Sequence, residues 1–401
     1  MSASSVSDRV VIVGAGPVGL ATALFLVQRG VPVLVLEAAP CLNEDMRAST
    51  FHPATLDMLA PSGISARLIA NGHIARQWQY LRHETGARIV FDLSVLEGLT
   101  GHPFRLQCEQ FRLTGAIVDL LSENPLFEIM FGAEVVDVGQ DQSSAWVEAV
   151  IGGQPQKFQA PYVVAADGGR SVLRKNLDLP FEGETYPKTS ITVVVDYNFA
   201  ADMPGILFVN YVWTDDDHFS LMRVRDHWRV GFSPRADQSL EEATSRAGIE
   251  QRLQAILPRP EAYSIVHVGH YSVHRRVIDK FNHGRILFAG DAAHLNSPAG
   301  GMGMNSGVHD AQSLASHLGD VLEGADPALL DRYDRRRRTI AIEDVQAQSD
   351  RNYKRHREKD PERRAQIWRD LEAVTQDRAA MRDYLYQSSM LASVARSFAI
   401  A

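Results

Sequence analysis

The hydrophobic pattern is most legible in the first forty residues. Val10-Val11-Ile12-Val13 is an unbroken β-branched run, the mark of a strand buried on both faces of a parallel sheet. In the GAGPVGLATALFLVQRG that follows, Leu20, Ala23, Leu24 and Val27 recur at helical spacing and Gly30 supplies the stop. Val33-Leu34-Val35-Leu36 then repeats the buried-strand pattern and ends at Glu37, completing one βαβ unit. Ala54–Leu59 starts a short helix broken by Pro61 and Gly63, and Leu113–Leu121 reads as another. From about Ile191 to Val273 the runs TVVVDYNF, ILFVNYVW, FSLMRV and WRVGF are separated by Asp, Pro and Gly clusters. They predict a second, antiparallel sheet without intervening helices. Near residue 285 a buried strand returns, Arg285 to Ala289, followed by a glycine-rich loop and a helix. Beyond Asp326 the chain reads as helical and highly charged, and Arg335–Arg338 is expected on a solvated helix face because acidic residues flank it.

Composition narrows the class. The chain has 401 residues, enough for two or three units, with 45% hydrophobic and 22% charged positions, as in a globular enzyme. Its 41 basic and 49 acidic residues give a net charge of −8, which disfavours a nucleic-acid partner. Two cysteines, Cys41 and Cys108, cannot build a disulfide framework or a multi-cysteine metal site, and no metal is expected. No apolar stretch approaches a membrane span, and the polar start MSASSVSDR is not a signal peptide, so a cytoplasmic setting is expected.

The chemistry begins at Gly14-x-Gly16-x-x-Gly19, between a strand and a helix, with Glu37 23 residues after Gly14. The first glycine permits a tight turn, the second lets backbone approach a pyrophosphate, and the third allows close helix–strand packing. The helix N-terminus offers N–H groups and partial positive charge to phosphates, and Glu37 suits ribose hydroxyls. This is a dinucleotide site, but the motif does not separate NAD from FAD.

Two further segments make that separation by resemblance. Tyr162-Val163-Val164-Ala165-Ala166-Asp167-Gly168-Gly169-Arg170-Ser171-x-x-Arg174 resembles the DG motif of the flavoprotein aromatic hydroxylases, the para-hydroxybenzoate hydroxylase-like class A monooxygenases. Gly284 to His294, which contains Gly290-Asp291, resembles their GD motif and runs on through Pro298-x-Gly300-Gly301-x-Gly303-Met304-Asn305-x-Gly307-x-x-Asp310. The likeness covers about residues 9 to 345. It implies an α/β fold with a Rossmann-like FAD-binding domain of the para-hydroxybenzoate hydroxylase type. That domain would be discontinuous over residues 1–72, 99–180 and 276–345. A β-sheet substrate domain would be inserted at 73–98 and 181–275, with a helical segment at 346–401.

The resemblance also implies roles. Asp291 would hold the FAD ribityl chain, and Arg47 and Gln110 would reach its diphosphate region. Asp167 would support the dinucleotide and nicotinamide region. Gly301, Gly303, Met304 and Asn305 would pass the flavin ring, with a helix N-terminus aimed at the edge that becomes anionic on reduction. The implied reaction uses transiently bound NADH or NADPH and O2, and hydroxylates a phenolic or hydroxylated heteroaromatic molecule through a C4a-hydroperoxyflavin. His52, Pro298 and Tyr211 are the candidates beside the reacting ring. His294 is read as structural. Tyr211 and Trp213 alternate on one strand face and suit either a pocket wall or sheet core, as do Phe219 and Leu221. Arg223 and Arg225 suit a substrate carboxylate or, more simply, solvent.

Two positions depart from the family pattern: Met302 stands where a polar residue is common, and Leu314-Ala315-Ser316 replaces a Leu-Ala-Trp. The thioredoxin-like domain of longer relatives is not in this chain. Its tail, YLYQSSMLASVARSF, reads as one terminal helix with Leu385, Met390, Leu391 and Val394 to bury on the substrate domain or on a second copy in a homodimer. The alternatives are a polyprenyl or ubiquinone-pathway hydroxylase, an epoxidase, or a non-catalytic FAD scaffold. A tryptophan-type halogenase is disfavoured, because Trp78, Trp146, Trp213, Trp228 and Trp368 are too far apart for its Trp-x-Trp motif.

Overall fold

The structure is a computed structural model that describes residues 8–401 apart from Asp45, Arg47 and Ala236. The Arg47 expectation therefore lies outside the described residues. The β-branched runs form a six-stranded sheet: β1 (Val10–Val13) pairs in parallel with β2 (Val33–Glu37) and β8 (Val163–Ala165). β7 (Phe127–Phe131) follows β2, and β15 (Ile286–Phe288) follows β8, both parallel. The two-residue β14 (Asn282–His283) adds one antiparallel edge. Strands buried on both faces need helices on both faces, which explains their lack of polar alternation. Helix α1 (Pro17–Gln28) packs on α2 (Gln110–Leu121) and on the long α3 (Gly303–Leu322). The approach to α3 is close. A Cβ on Gly307 would come within 2.4 Å of Val18, and one on Gly19 within 1.9 Å of the Gly14 carbonyl.

The second sheet has seven strands, in the order β13 (Ile265–Tyr271), β9 (Ser190–Val195), β12 (Trp228–Phe232), β11 (His218–Arg223), β10 (Val209–Trp213), β4 (Gln77–Arg82), β5 (Arg88–Asp92). Only the β10–β4 pairing is parallel. One face, with Phe219 and Leu221, closes over helices Leu240–Thr244 and Arg246–Ile256. Those helices correct the expectation of an uninterrupted strand region. Both begin on capping serines, Ser239 and Ser245, whose hydroxyls accept from the N3 backbone, a local start signal that the strand reading passes over. A three-stranded antiparallel sheet over residues 133–160 was not anticipated either.

The opposite face of the seven-stranded sheet meets the C-terminal helices. Helix α4 (Leu329–Ile340) continues through a π-helical turn, Ala341–Gln346, into α5 (Ala347–Arg357). Then follow α6 (Pro361–Gln376), α7 (Arg378–Ser388) and α8 (Leu391–Ala399). The tail is two helices rather than one, broken at Met390, whose φ of 65° puts it in the left-handed region. Leu385, Met390 and Leu391 join one apolar cluster with Trp78, Tyr80, Phe91, Tyr211 and Trp213.

The solvated-face expectation for Arg335–Arg338 also needs correction. Arg337 is 2% exposed and donates from Nε to Asp310 at 2.6 Å, and Arg338 donates to the Ile278 carbonyl. The flanking acids suggested surface, but the helix turns this arginine onto a carboxylate deep in α3. No helix is long and apolar enough to cross a membrane among the described residues.

Candidate active site

The glycine turn after β1 has the shape a diphosphate requires. Gly14 has φ +102°, and a Cβ there would meet the Ala166 carbonyl oxygen at 2.6 Å, so neither conformation nor space admits a side chain. Gly16, by contrast, faces nothing within 4 Å, leaving an open approach to the N-terminus of α1. Glu37 closes the turn: it accepts from the Ala15 N–H at 2.7 Å and the Ala39 N–H at 2.9 Å. Each carboxylate oxygen keeps a lone pair for a ribose hydroxyl. Gln110 opens α2, its N–H bonded to the Ala48 carbonyl. Asp291 is exposed on the turn Gly290–Ala292 just past β15. These groups fit FAD.

Asp167 has a different first duty. Its Oδ2 accepts from Val172 and Leu173 N–H at 2.7 and 3.4 Å, capping the helix Val172–Asn176. Burial raises its pKa, and Oδ1 is left buried without a partner.

The glycine-rich loop is held from beneath by Asn305. Its Nδ2 donates to the carbonyls of Thr50 at 2.8 Å and Gly301 at 2.7 Å, and its Oδ1 accepts from the His52 N–H at 2.9 Å. The side chain is thus committed to the loop and to β3 (Thr50–Phe51), and only its backbone is left to face a cofactor. Helix geometry leaves the N–H groups of Gly303, Met304 and Asn305 without intrahelical acceptors, and Ser306 makes the first such bond, to Met302. Gly301 has φ +68°, and a Cβ there would touch Thr50 at 3.2 Å. Pro298 is exposed, its carbonyl accepting from the Gly301 N–H, so it shapes the turn and lies outside the lining of the cavity described below.

His52 is fully buried. Its Nε2 lies 2.8 Å from the Gly300 carbonyl, which can only accept, so Nε2 carries the proton and Nδ1 keeps an unpartnered lone pair. Burial, assisted by the charge of Arg105, pushes its pKa down to about 3. It stays neutral and braces the loop.

A cavity opens between this loop and the seven-stranded sheet. Trp78, Tyr80 and Tyr211 form its sheet wall, Gly300 and Met302 its loop wall, and His356 and Tyr384 its helical wall. Phe91 stacks behind Trp78 at 4.2 Å, and His356 lies over Tyr211 at 4.8 Å. Arg355 donates to Tyr384 and Tyr80 hydroxyls at 2.9 and 3.3 Å, and Tyr80 lies 3.3 Å from His356 Nε2. Burial raises the Tyr80 pKa and lowers that of His356, so both are neutral. Tyr211 belongs to this cavity, whereas Trp213 packs on Trp368. Met302, His356, Tyr384 and Arg105 were missed as pocket residues. Arg225 is exposed against Asn71, and Arg223 lies over the Trp228 ring, so neither enters the cavity.

His294 takes the structural part expected of it. With Gly290 N–H and Arg337 it converges on Asp310, at 2.8, 3.1 and 2.6 Å. Burial alone would raise the Asp310 pKa, yet Arg337 and His294 outweigh it and hold the carboxyl at about 2.

Residues 8–348 match the FAD binding domain family over most of the chain. The chain belongs to that family. It is 33% identical to a para-nitrophenol 4-monooxygenase of Pseudomonas sp. strain WBC-3 over 94% of each chain. It is also 31% identical to the 6-hydroxy-3-succinoylpyridine 3-monooxygenase HspB of Pseudomonas putida, over 95% of this chain and 97% of that one. Among solved structures, p-nitrophenol 4-monooxygenase PnpA from Pseudomonas putida DLL-E4 superposes with a TM-score of 0.90 at 30% identity, covering 96% and 98%. The chain is an FAD-dependent monooxygenase of the aromatic hydroxylase group.

Proposed function

We propose that this enzyme hydroxylates a small phenol or hydroxylated pyridine, using NADH or NADPH and O2 in a cytoplasmic setting. The overall change balances as substrate C–H plus O2, NAD(P)H and a proton, giving C–OH, NAD(P)+ and water. Bound FAD supplies the acceptance of hydride from the nicotinamide and the activation of O2. The single observation that carries the reading is the aromatic cavity built directly against Gly300 and Met302 of the cofactor loop.

The chain's own residues supply position, dryness and charge. Trp78 and Tyr211 are 2% and 8% exposed and pack edge-to-face at 5.7 Å, so the wall they form would shield a ring bound against it from water that would divert the oxidant. Asn305 fixes the loop relative to β3, which would hold a bound ring and the cofactor in a constant relation. The first turn of α3 has N–H groups without intrahelical acceptors, which would suit the negative charge that a bound flavin gains on reduction. One glycine-rich βαβ unit is committed to FAD, so the nicotinamide is read as a transient visitor. 4-Nitrophenol and a 6-hydroxypyridine, the ring types in the names of the relatives, are the first substrates to try. The test is NAD(P)H oxidation by FAD-loaded enzyme with a panel of aromatics. Stimulation by hydroxylated rings is expected, with a product one oxygen heavier where a C–H is attacked or, where oxygen enters the nitro-bearing carbon of 4-nitrophenol, a quinone with nitrite released. A panel of hydroxylated rings yielding neither would overturn the reading.

A further inference from the structure

The cavity wall carries a one-sided deficit. Arg105 Nε and Nη1, Trp78 Nε1 and Ser388 Oγ are buried polar atoms on cavity-lining side chains, and none has a partner among the described residues. Arg105 comes from β6 (Arg105–Gln107), which pairs with β3 next to His52. It is 3% exposed, and its guanidinium lies 4.6 Å from the Trp78 ring centroid. Arg337, equally buried, is neutralised by Asp310 and also donates to Ser306. Arg105 has no such carboxylate, and none lines the cavity. A buried cation with idle donors is destabilising unless something accepts from it. An indole N–H likewise can only donate. The other ionisable groups facing the cavity do not supply an acceptor charge: Tyr80 and Tyr384 already take Arg355, and His356 and the adjoining His52 are neutral.

We propose that Arg105, with the Trp78 N–H, is an oxyanion subsite that takes the ionised ring oxygen of a phenolate. The step is a plain ionisation: the phenol O–H breaks, its proton passes to solvent, and the electron pair stays on oxygen facing the guanidinium. The ring carbon becomes more electron-rich without any bond to the protein. This inference rests on the monooxygenase reading for its substrate class.

4-Nitrophenol tests it, because it is yellow as the anion and nearly colourless when protonated. Difference spectra of oxidised, FAD-loaded enzyme with and without it, across pH, report its ionisation in place. Wild-type enzyme is expected to lower the pH of ionisation by at least about one unit, a tenfold shift, as an opposite charge at contact does. Arg105→Lys should keep part of that shift. Arg105→Met should abolish it and weaken binding about tenfold, while nitrobenzene, which cannot ionise, binds both alike. FAD retention should be equal in all three proteins. 4-Nitrophenol titrating on wild-type enzyme as it does in water would overturn the proposal, as would a full shift in Arg105→Met. So would loss of FAD in the arginine variants, which would tie the guanidinium to the flavin or to the fold. The readout needs no turnover, so a lowered ionisation with no hydroxylated product from any ring of the panel supports the subsite while sinking the proposed hydroxylation of phenols.

Discussion

At the scale of single residues, the site divides into groups that hold backbone and groups that face a ligand. Glu37 does both, since two backbone N–H bonds fix it while each oxygen keeps a free lone pair. Glu37→Ala should therefore weaken FAD retention by roughly 10- to 150-fold, the equivalent of about 1.5 to 3 kcal/mol for bonds to a charged acceptor. Fluorescence titration of apoenzyme with FAD checks it, and unchanged affinity would remove Glu37 from the site. Gly301 is a different case. Its positive φ makes any side chain cost about 1 to 2 kcal/mol, and a Cβ would press on Thr50. Gly301→Val should lower the melting temperature and turnover together. Retained turnover in a less stable protein would show that the loop tolerates displacement.

At the scale of elements, Asp310 joins three of them: the turn at Gly290, helix α3, and helix α4 through Arg337. Asp310→Asn strips the buried arginine of its counter-charge and should cost about 3 to 5 kcal/mol, read by denaturant midpoint. The Asp310 pKa is depressed from 3.8 to about 2, so its stabilisation is complete above roughly pH 4 and is lost as pH falls toward 2. His52 and His309 act over a higher window. Burial depresses both from 6.5 to about 3, so the fold loses stability as pH falls below 6.5 and protonation begins to favour the unfolded chain. Thermal melts from pH 7 to pH 4 should show that decline, and a flat profile would contradict their burial as neutral rings. The elements themselves were unevenly legible. The βαβ unit and the strand before Gly290 declare themselves because burial on both faces leaves no polar alternation. The sheet over residues 133–160 has strands of eight, seven and seven residues, and the alternating burial of Ala145–Ile151 is a period-two signal that a reading led by motifs passes over.

At the scale of the whole molecule, the cofactor half was readable from short motifs, whereas the pocket was not. Its walls come from strands near residues 78 and 211, the loop at 300, and helices near 356 and 384, parts that only the tertiary fold brings together. The helical wall lies beyond residue 348, where the family match ends, so no motif pointed to His356 or Tyr384. Tyr211 could be placed on a strand face, but which face met the C-terminal helices depended on the pairing of β10 with β4. An enclosed pocket also carries a kinetic expectation. Under the proposed reaction, reducing equivalents delivered while it is empty would be lost as hydrogen peroxide, so reduction by NAD(P)H is expected to be markedly faster with an aromatic ligand bound. Stopped-flow rates that are equal with and without the true substrate would contradict this gating.

In the proposed reaction one atom of O2 ends on a phenolic ring at the expense of one NAD(P)H. The direct measurement is turnover under isotopically labelled O2 with mass analysis of the product and a count of nicotinamide oxidised. One labelled oxygen per product and a ratio near one nicotinamide per product are predicted. A product whose new oxygen comes from water, or nicotinamide consumed only to hydrogen peroxide with every hydroxylated ring offered, would contradict it.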